Sequence, residues 1–122
     1  MADAVDDADR SCRDEIAAGE YHTCAFTEQD VAKCWGNNFY GQLGIGRNVN
    51  RETPRPIPDI QWGITGMTAG RNHTCAVVGG GAKCWGFNAS GQVGDHTTLD
   101  RWSPVDVAGL LGGVVLLRAG GL

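Results

Sequence analysis

The sequence lacks any cluster of lysine and arginine, and it lacks a hydrophobic run long enough to cross a membrane. Its 10 Lys and Arg residues are outnumbered by 14 Asp and Glu residues, and the formal net charge is −4 at pH 7. A surface that binds nucleic acid through its phosphates needs clustered positive charge, so this balance argues against such binding. The apolar run at residues 112–117 is far too short for a transmembrane helix.

The N-terminus also lacks the apolar segment of a signal peptide, because residues 1–9 are mostly aspartate and alanine. The sequence nevertheless contains five cysteines, and cytosolic proteins rarely keep disulfide bonds. Two explanations remain open: the export signal is not part of this sequence, or the thiols stay reduced. We favour the first explanation and expect a secreted or periplasmic location.

The 122 residues are enough for one domain, and two copies of one pattern fill them from residue 15 onwards. Cys24 returns as Cys75, and Cys34 returns as Cys84. The 19 glycines, the 42% hydrophobic residues and the many β-branched runs predict an all-β fold with frequent tight turns.

The most distinctive repeated feature is a hairpin with one cysteine on each strand. In the second copy, Gly79-Gly80 separates two short apolar or β-branched runs and predicts a two-residue loop. Pairing outward from this loop places Cys75 opposite Cys84. This is a non-hydrogen-bonded position, where Cα atoms approach to about 4.5 Å, inside the range that a disulfide accepts.

The first copy has one more residue between its cysteines, and a three-residue loop at residues 28–30 keeps Cys24 opposite Cys34. One disulfide in each copy is the favoured interpretation, and each would stabilise the fold by about 2–3 kcal/mol. Reduced, buried thiols are the first alternative. Zinc is the second, because His22 and Cys24 share a strand face opposite Cys34, but the spacing contains no Cys-x-x-Cys knuckle.

Each repeat predicts four short strands: one around Ile16 or Ile64, two from the hairpin, and one near Ile57 or Val107. A four-stranded unit that recurs at this length is typical of a β-propeller blade. The predicted fold class is therefore all-β, with two propeller blades of four antiparallel strands. We expect these blades to belong to a larger or multi-chain propeller or array.

On this basis the chain divides into four segments. Residues 1–14 are a flexible acidic leader, residues 15–64 the first blade, residues 65–113 the second blade, and residues 114–122 the first strand of a third repeat. Because the third copy is cut off, we expect either a fragment of a longer repeat chain or a subunit that other chains complete.

Several short motifs recur together at fixed spacings in both copies. They are Ala-Gly-x-x-His-x-Cys-Ala, Cys-Trp-Gly-x-Asn, Gly-Gln-Leu/Val-Gly and a following proline. Over residues 15–122 this combination resembles the regulator of chromosome condensation repeat family. The resemblance implies a propeller, usually of seven blades, that binds other macromolecules. The cysteine pairs look more like the exported bacterial branch of the family, which includes a propeller-shaped β-lactamase inhibitor, than like its founding type.

The sequence departs from the founding type of this family. That type exchanges nucleotide on the small GTPase Ran through a wedge inserted in one blade, and this sequence has no such insertion. Two blades per chain also cannot fill a seven-bladed ring in whole copies, whereas three or four chains would give six or eight blades.

Neither copy of the repeat contains a pattern of residues that indicates catalysis. We expect no cofactor and no metal. His22 and His73 could act as general bases, but no nucleophile, carboxylate pair or oxyanion loop recurs beside them. Hydrogen bonding within their own blade is the favoured role. Residues 41–46 suggest a phosphate-binding loop, but they lack the Gly-Lys-Ser/Thr ending, so a structural turn is favoured. His96 stands where the first copy has Gly46, and we expect it in an exposed loop.

Aromatic residues supply the candidate partner surface. Trp35 and Trp85 follow the second cysteine of each hairpin, and we expect them to pack between adjacent blades. Other aromatic residues are candidates for a partner-binding rim, with burial in the core as the alternative. These candidates are Phe39, Tyr40, Trp62, Phe87 and Trp102.

Three further features are candidate sites. Asn72-His73-Thr74 and Asn88-Ala89-Ser90 are N-glycosylation sequons, although chance occurrence explains both. Cys12 is left over from the cysteine pairs and could form an intermolecular bridge. An apolar strand with an open edge could assemble with another chain. It consists of Val114, Val115, Leu116 and Leu117.

We therefore predict a non-catalytic repeat module for protein–protein interaction or self-assembly outside the cytosol. Its partner is another protein or further copies of itself, with no nucleic acid and no membrane. A secreted inhibitor that binds another protein is the first alternative, and guanine-nucleotide exchange is the second. Residues 46–55 and 95–103 differ most between the copies, and such scaffolds place specificity in variable loops.

Overall fold

The computed structural model describes residues 15–26, 31–60, 63–110 and 112–113, which contain eight β-strands. In chain order the strands are β1 (Glu15–Ala18), β2 (His22–Phe26), β3 (Lys33–Gly36), β4 (Arg51–Pro56), β5 (Ile64–Ala69), β6 (His73–Val78), β7 (Gly81–Gly86) and β8 (Arg101–Asp106). Over the same residues there is no helix with the length and apolar character needed to cross a membrane.

The strands form two four-stranded sheets, ordered β1-β2-β3-β4 and β5-β6-β7-β8. Every neighbouring pair is antiparallel. We call the first sheet, with its connecting loops, blade 1 and the second blade 2. The predicted fold class, an all-β protein with four-stranded antiparallel blades, is confirmed.

The cysteine hairpins have the register that the sequence predicts. Cys24 lies opposite Cys34 between β2 and β3, and Cys75 lies opposite Cys84 between β6 and β7. Both glycines of the β6–β7 loop have positive φ, 59° and 84°. A two-residue loop of type I′ requires this conformation at both positions, which explains the Gly-Gly pair.

The fourth strand of each blade lies earlier in the chain than the apolar pattern predicts. β4 and β8 end immediately before Ile57 and Val107, so neither residue belongs to a strand. Ile57 is instead a fully buried anchor whose N–H donates to the Ala32 carbonyl (3.1 Å). β4 itself is polar and exposed, and as the last strand of its sheet it tolerates Pro54.

The larger core takes side chains from both blades. Phe26 and Leu43 of blade 1 and Met67 and Trp85 of blade 2 all belong to it, and none is more than 6% exposed. Because one core serves both sheets, neither blade could bury its apolar surface alone. The packing of Trp85 between the blades agrees with the sequence prediction.

A glycine-rich turn of blade 1, residues 41–46, docks onto blade 2. The Gln42 carbonyl accepts hydrogen bonds from Thr74 Oγ1 (2.8 Å) and from Trp85 Nε1 (2.9 Å). Gly44 has φ 71°, and a Cβ at this position would approach Trp85 Nε1 to 2.7 Å. Glycine is therefore required here both for the backbone conformation and for the close approach. We call these contacts the blade joint.

Several predicted features lie outside the described residues. They are the leader at residues 1–14, Cys12, the three-residue loop at residues 28–30, Trp62, the third-repeat segment at residues 114–122, and its proposed assembly edge Val114, Val115, Leu116 and Leu117. The predictions about them remain predictions.

Candidate protein-interaction surface

Three of the predicted surface aromatics meet where blade 1 joins blade 2. The ring centroids of Phe39 and Tyr40 are 5.0 Å apart with an interplanar angle of 87°, an edge-to-face arrangement. The Tyr40 ring lies 4.6 Å from the Phe87 ring of blade 2. Phe39 is 65% exposed, so this cluster opens to solvent instead of joining the core.

A fourth predicted aromatic, Trp102 in β8, reaches the same end of the blades. Its indole lies against the backbone of Gly41, the residue that follows Tyr40, and its side chain is still 43% exposed. Exposed aromatic patches of this kind are typical of protein-interaction sites. We define the aromatic surface as Phe39, Tyr40, Phe87 and Trp102.

A single buried side chain holds the loop that carries the first two of these aromatics. The Nδ2 atom of Asn38 donates to the carbonyls of Arg47 (2.8 Å) and Val49 (3.0 Å). Its Oδ1 accepts from the Leu43 N–H (2.9 Å), and the side chain has no exposed surface. One amide therefore ties the two halves of the loop together, so the loop is shaped before any partner binds.

Asn88 organises the corresponding loop of blade 2. Its Nδ2 donates to the carbonyls of Thr97 (3.1 Å) and Leu99 (2.8 Å), and its Oδ1 accepts from the Val93 N–H (2.9 Å). The sequence prediction missed this role for both asparagines. The available signal was an asparagine at the same repeat position directly before each long loop.

Asp95 adds a charged contact to the blade 2 loop. Its carboxylate accepts hydrogen bonds from Thr97 Oγ1 (2.6 Å) and from Arg101 Nε (2.6 Å). Burial alone would raise the pKa of Asp95, but the hydrogen bonds from Thr97, Arg101 and Asn88 outweigh burial and lower the pKa to about 2. Asp95 is therefore ionised at neutral pH, and its hydrogen bonds to Thr97 and Arg101 hold the loop together.

His22 is part of the blade joint, where its ring contacts a hydroxyl group of blade 2. Its Nε2 lies 2.9 Å from Thr74 Oγ1, and the Thr74 hydroxyl proton is donated to the Gln42 carbonyl. Nε2 must therefore carry the proton of the neutral ring. Burial, and secondly the nearby His73, lower the pKa of His22 to about 4. The prediction of a hydrogen bond within its own blade is wrong for His22, because the joint brings Thr74 of blade 2 against it.

The paired cysteines lie at disulfide distance, with Cα atoms 4.1 Å apart for Cys24–Cys34 and 4.0 Å apart for Cys75–Cys84. Disulfides leave no thiolate for the zinc site considered from the sequence. Across the described part of the chain, no group of three or more His, Cys, Asp or Glu side chains is placed to hold a metal ion.

The two sequons differ in accessibility. Asn88 has no exposed surface, and its Nδ2 donates to loop carbonyls, so a glycan on that nitrogen is incompatible with the folded blade. The suggested glycosylation of Asn88 is therefore wrong for the folded protein. Asn72 is partly exposed in the turn before β6, and its glycosylation stays a prediction.

Four-stranded antiparallel blades that pack against each other through a shared core define the β-propeller class of proteins. Models of the regulator of chromosome condensation (RCC1) repeat match residues 14–42 and 34–77. The chain belongs to this repeat family, as the sequence motifs indicate. Propellers built from these repeats are generally protein-interaction modules or act in nucleotide exchange.

Among curated proteins, the chain is similar to parts of several much longer ones. It is 36% identical over 70 residues to the probable E3 ubiquitin-protein ligase HERC4 of Homo sapiens, covering 56% of this chain and 7% of that protein. It is 35% identical over 65 residues to the ultraviolet-B receptor UVR8 of Arabidopsis thaliana, covering 52% of this chain and 14% of that one. The chain thus spans only a small part of these relatives.

The chain is also similar to part of two solved structures. The chain matches yeast RCC1, in a crystal structure with Kap60, with a TM-score of 0.69 and 28% identity over 88% of this chain and 25% of that one. It matches human WBSCR16 with a TM-score of 0.67 and 23% identity, over 77% of this chain and 25% of that one. The second match supports the fold alone.

Proposed function

We propose that this chain is a non-catalytic, protein-binding part of a β-propeller and that it binds its partner through the aromatic surface. The observation that carries the proposal is the exposed cluster of Phe39, Tyr40 and Phe87 across the blade joint. Tyrosine and tryptophan often dominate the affinity of protein interfaces, because they bury a large area at a small cost in conformational entropy. Trp102 extends the same surface.

The loops beside the aromatic surface support the proposal. Asn38 and Asn88 hold them in one conformation, so binding does not have to order them. The loops also differ most between the two repeats, which suits a surface that selects a partner. Yeast RCC1, a propeller of the same family, is bound to another protein, Kap60, in its crystal structure.

Quantitative affinity capture from the medium or periplasm of the source tests the proposal. Wild-type protein and the Phe39→Ser and Tyr40→Ser variants serve as baits. Leu110→Ser is the matched control, because Leu110 is 40% exposed but bonds to Ala82 near the opposite, hairpin end of blade 2. We expect wild type and the control to capture the same protein, with at least a tenfold loss for the aromatic variants. Equal capture by all four baits would contradict the proposal.

We also propose an oxidising compartment, either secreted or periplasmic. The two cysteine pairs at disulfide distance support it, since such bonds persist outside the cytosol. Peptide mapping of the native protein by mass spectrometry without reductant is the test. Free thiols at the paired cysteines would refute this location, and the same map reports whether Cys12 links two chains.

Two narrower functions that the sequence suggests can be separated by assay. A secreted inhibitor is a special case of the binding function, and the captured partner would then lose its activity when the chain binds. Guanine-nucleotide exchange is the less favoured alternative, because the sequence lacks the inserted wedge. We expect no acceleration in an exchange assay on a small GTPase.

Self-assembly is a second candidate function, and one observation favours it. Blade 2 carries the same kind of turn that blade 1 uses to dock onto blade 2. The turn would bind the face of blade 1 that corresponds to the docked face of blade 2.

A further inference from the structure

We propose that blade 2 binds blade 1 of a second copy of this chain through a repeat of the blade joint. This inference rests on the second candidate function, self-assembly, and names its interface. The turn at residues 91–96 of one copy docks onto Thr23 and Trp35 of the next. The contact is head-to-tail, because it joins two different faces of the same molecule.

The turn at residues 91–96 already has the backbone conformation of the docked turn at residues 41–46. Its two glycines have φ 76° and 78°, against 84° and 71° for their counterparts in blade 1. His96 has φ 67°, close to the 76° of Gly46, although residues with a Cβ rarely adopt positive φ. The turn of blade 2 therefore keeps the conformation of the docked turn even at His96, a residue type that disfavours positive φ.

This turn is uncovered by the residues that the structure describes. A Cβ on Gly41 would collide with Trp102, whereas nothing lies within 4 Å of the same position on Gly91. An open groove of about 810 Å³ runs beside the turn and is lined in part by Gly91 and Val107. Val107 is half-buried there, while its counterpart Ile57 in blade 1 is fully buried.

Blade 1 carries the matching face. Thr23 and Trp35 pair with each other in β2 and β3, as Thr74 and Trp85 do in β6 and β7. The docked turn buries Thr74 and Trp85 completely, whereas Thr23 and Trp35 are half-buried. In the proposed contact, Thr23 Oγ1 and Trp35 Nε1 donate to the carbonyl of Gln92, the counterpart of Gln42.

The charges at the joint are also complementary. Across the internal joint, Arg71 Nε lies 3.7 Å from Glu20 Oε1. Glu20 and Arg71 occupy the same repeat position, one after each Ala-Gly pair. The proposed contact therefore places Arg71 of one copy against Glu20 of the second copy, which is an attractive pairing. Such exposed pairs contribute more to the choice of partner than to affinity.

Head-to-tail contacts close into a ring when the rotation between subunits permits it, and otherwise extend as an open array. Each copy contributes two blades, so a closed ring of this chain contains an even number of blades. Either outcome gives an assembly larger than the single chain.

Light scattering coupled to size-exclusion chromatography, across a series of protein concentrations, measures the assembly. The full chain is used without reductant and with Cys12→Ser, so that a disulfide between chains cannot account for association. We expect a mass above the 12.9 kDa of one chain that rises with concentration. A single chain mass at every concentration would overturn the proposal.

Gly91→Asn tests the surface itself. Asparagine tolerates positive φ, and its side chain enters open space in a single chain but collides with a docked second copy. Gly79→Asn is the matched control, since Gly79 also has positive φ and open space but lies in the β6–β7 hairpin loop. We expect association to weaken at least tenfold for Gly91→Asn and to be unchanged for the control. Equal association of the two variants would refute the interface.

A mixing experiment tests the head-to-tail character. Trp35→Ala damages the blade 1 face and Gly91→Asn damages the blade 2 face, so each variant keeps one intact face. Circular dichroism first verifies that Trp35→Ala is folded. The two variants alone should remain single chains, and their mixture should stop at a dimer. No dimer from folded variants would contradict a head-to-tail joint.

The aromatic surface and the assembly interface can be judged separately. The counterpart of Phe39 in blade 2 is Ala89, so Phe39 has no place in the proposed contact between copies. Phe39→Ser should therefore assemble as wild type does even when it no longer captures a partner. We expect the converse for Gly91→Asn, which should lose assembly between copies and still capture the partner.

Discussion

Asn38 and Asn88 are polar side chains without exposed surface, and each forms hydrogen bonds to backbone groups of its own long loop. A buried amide group is destabilising unless it is hydrogen-bonded, and both amides here bond to carbonyls and to one N–H group of the loop. The shape of the loop thus depends on one residue more than on its own sequence. This explains how the loops can vary between repeats while the asparagine recurs.

Replacing Asn38 with alanine should lower the free energy of unfolding by about 2–4 kcal/mol, because three buried or partly buried backbone groups lose their partner. Urea denaturation measures the change. Asn48→Ala is the matched control, since Asn48 is an exposed residue of the same loop and should change stability by less than about 0.5 kcal/mol. Similar losses in both variants would mean that the side chain of Asn38 does not hold the loop.

His22 should make stability depend on pH. Its pKa is about 4 in the folded protein, against an ordinary value of 6.5 for histidine, so the unfolded chain binds more protons between these values. The stabilisation is complete above pH 6.5 and is lost as the pH falls towards 4, by up to about 3 kcal/mol. Unfolding measured at pH 7 and at pH 4.5 reports the difference.

The controls for this prediction are two further histidine variants. His22→Gln removes the titrating ring and should flatten the dependence, whereas His96→Asn changes an exposed ring and should preserve it. An unchanged slope for His22→Gln would show that another group controls the acid response.

At the scale of elements, the two cysteine hairpins are the most regular parts of the chain. They could be predicted because their pairing is local: a two-glycine loop sets the register, and the cysteines fall opposite each other. The fourth strand could not be placed so well, because β4 is polar and exposed along almost its whole length. The apolar pattern placed this strand near Ile57, but Ile57 follows the strand and is buried in the core.

Removing either disulfide should lower the free energy of unfolding by a similar amount, since the cysteines are separated by 10 residues in one hairpin and 9 in the other. Closing loops of this size restricts the unfolded chain, and each bond should contribute about 2–3 kcal/mol. The double variants Cys24→Ala/Cys34→Ala and Cys75→Ala/Cys84→Ala, compared by urea denaturation, test this. A loss below about 0.5 kcal/mol in either would contradict it.

At the scale of the whole molecule, the blade joint makes one structure out of two sheets. The Gln42 carbonyl, the Thr74 hydroxyl and the Trp85 indole form a buried hydrogen-bonded group between the blades. Sequence repetition indicated where Trp85 would pack. It did not indicate that Tyr40 meets Phe87, because that contact depends on how the turn of one blade crosses to the next. Aromatic residues unmatched in the other repeat carry no periodic signal.

Gly44→Ala should weaken the joint by about 2–5 kcal/mol. The added methyl group collides with Trp85, at about 1–3 kcal/mol, and alanine at positive φ adds about 1–2 kcal/mol. Gly46→Ala separates these effects, since its φ is 76° but the nearest atom to a Cβ is Ser103 Oγ at 3.5 Å. Urea denaturation followed by tryptophan fluorescence should show the larger loss for Gly44→Ala. Equal losses would assign the whole effect to the backbone.

The acceptor of the joint is a main-chain oxygen, and both donors stand on the strands of the neighbouring sheet. Each repeat therefore encodes both halves of the joint: the strand donors on one side and the turn with its acceptor carbonyl on the other. An in-frame duplication of one unit would lengthen the molecule in a single genetic event, with no compensating substitution elsewhere.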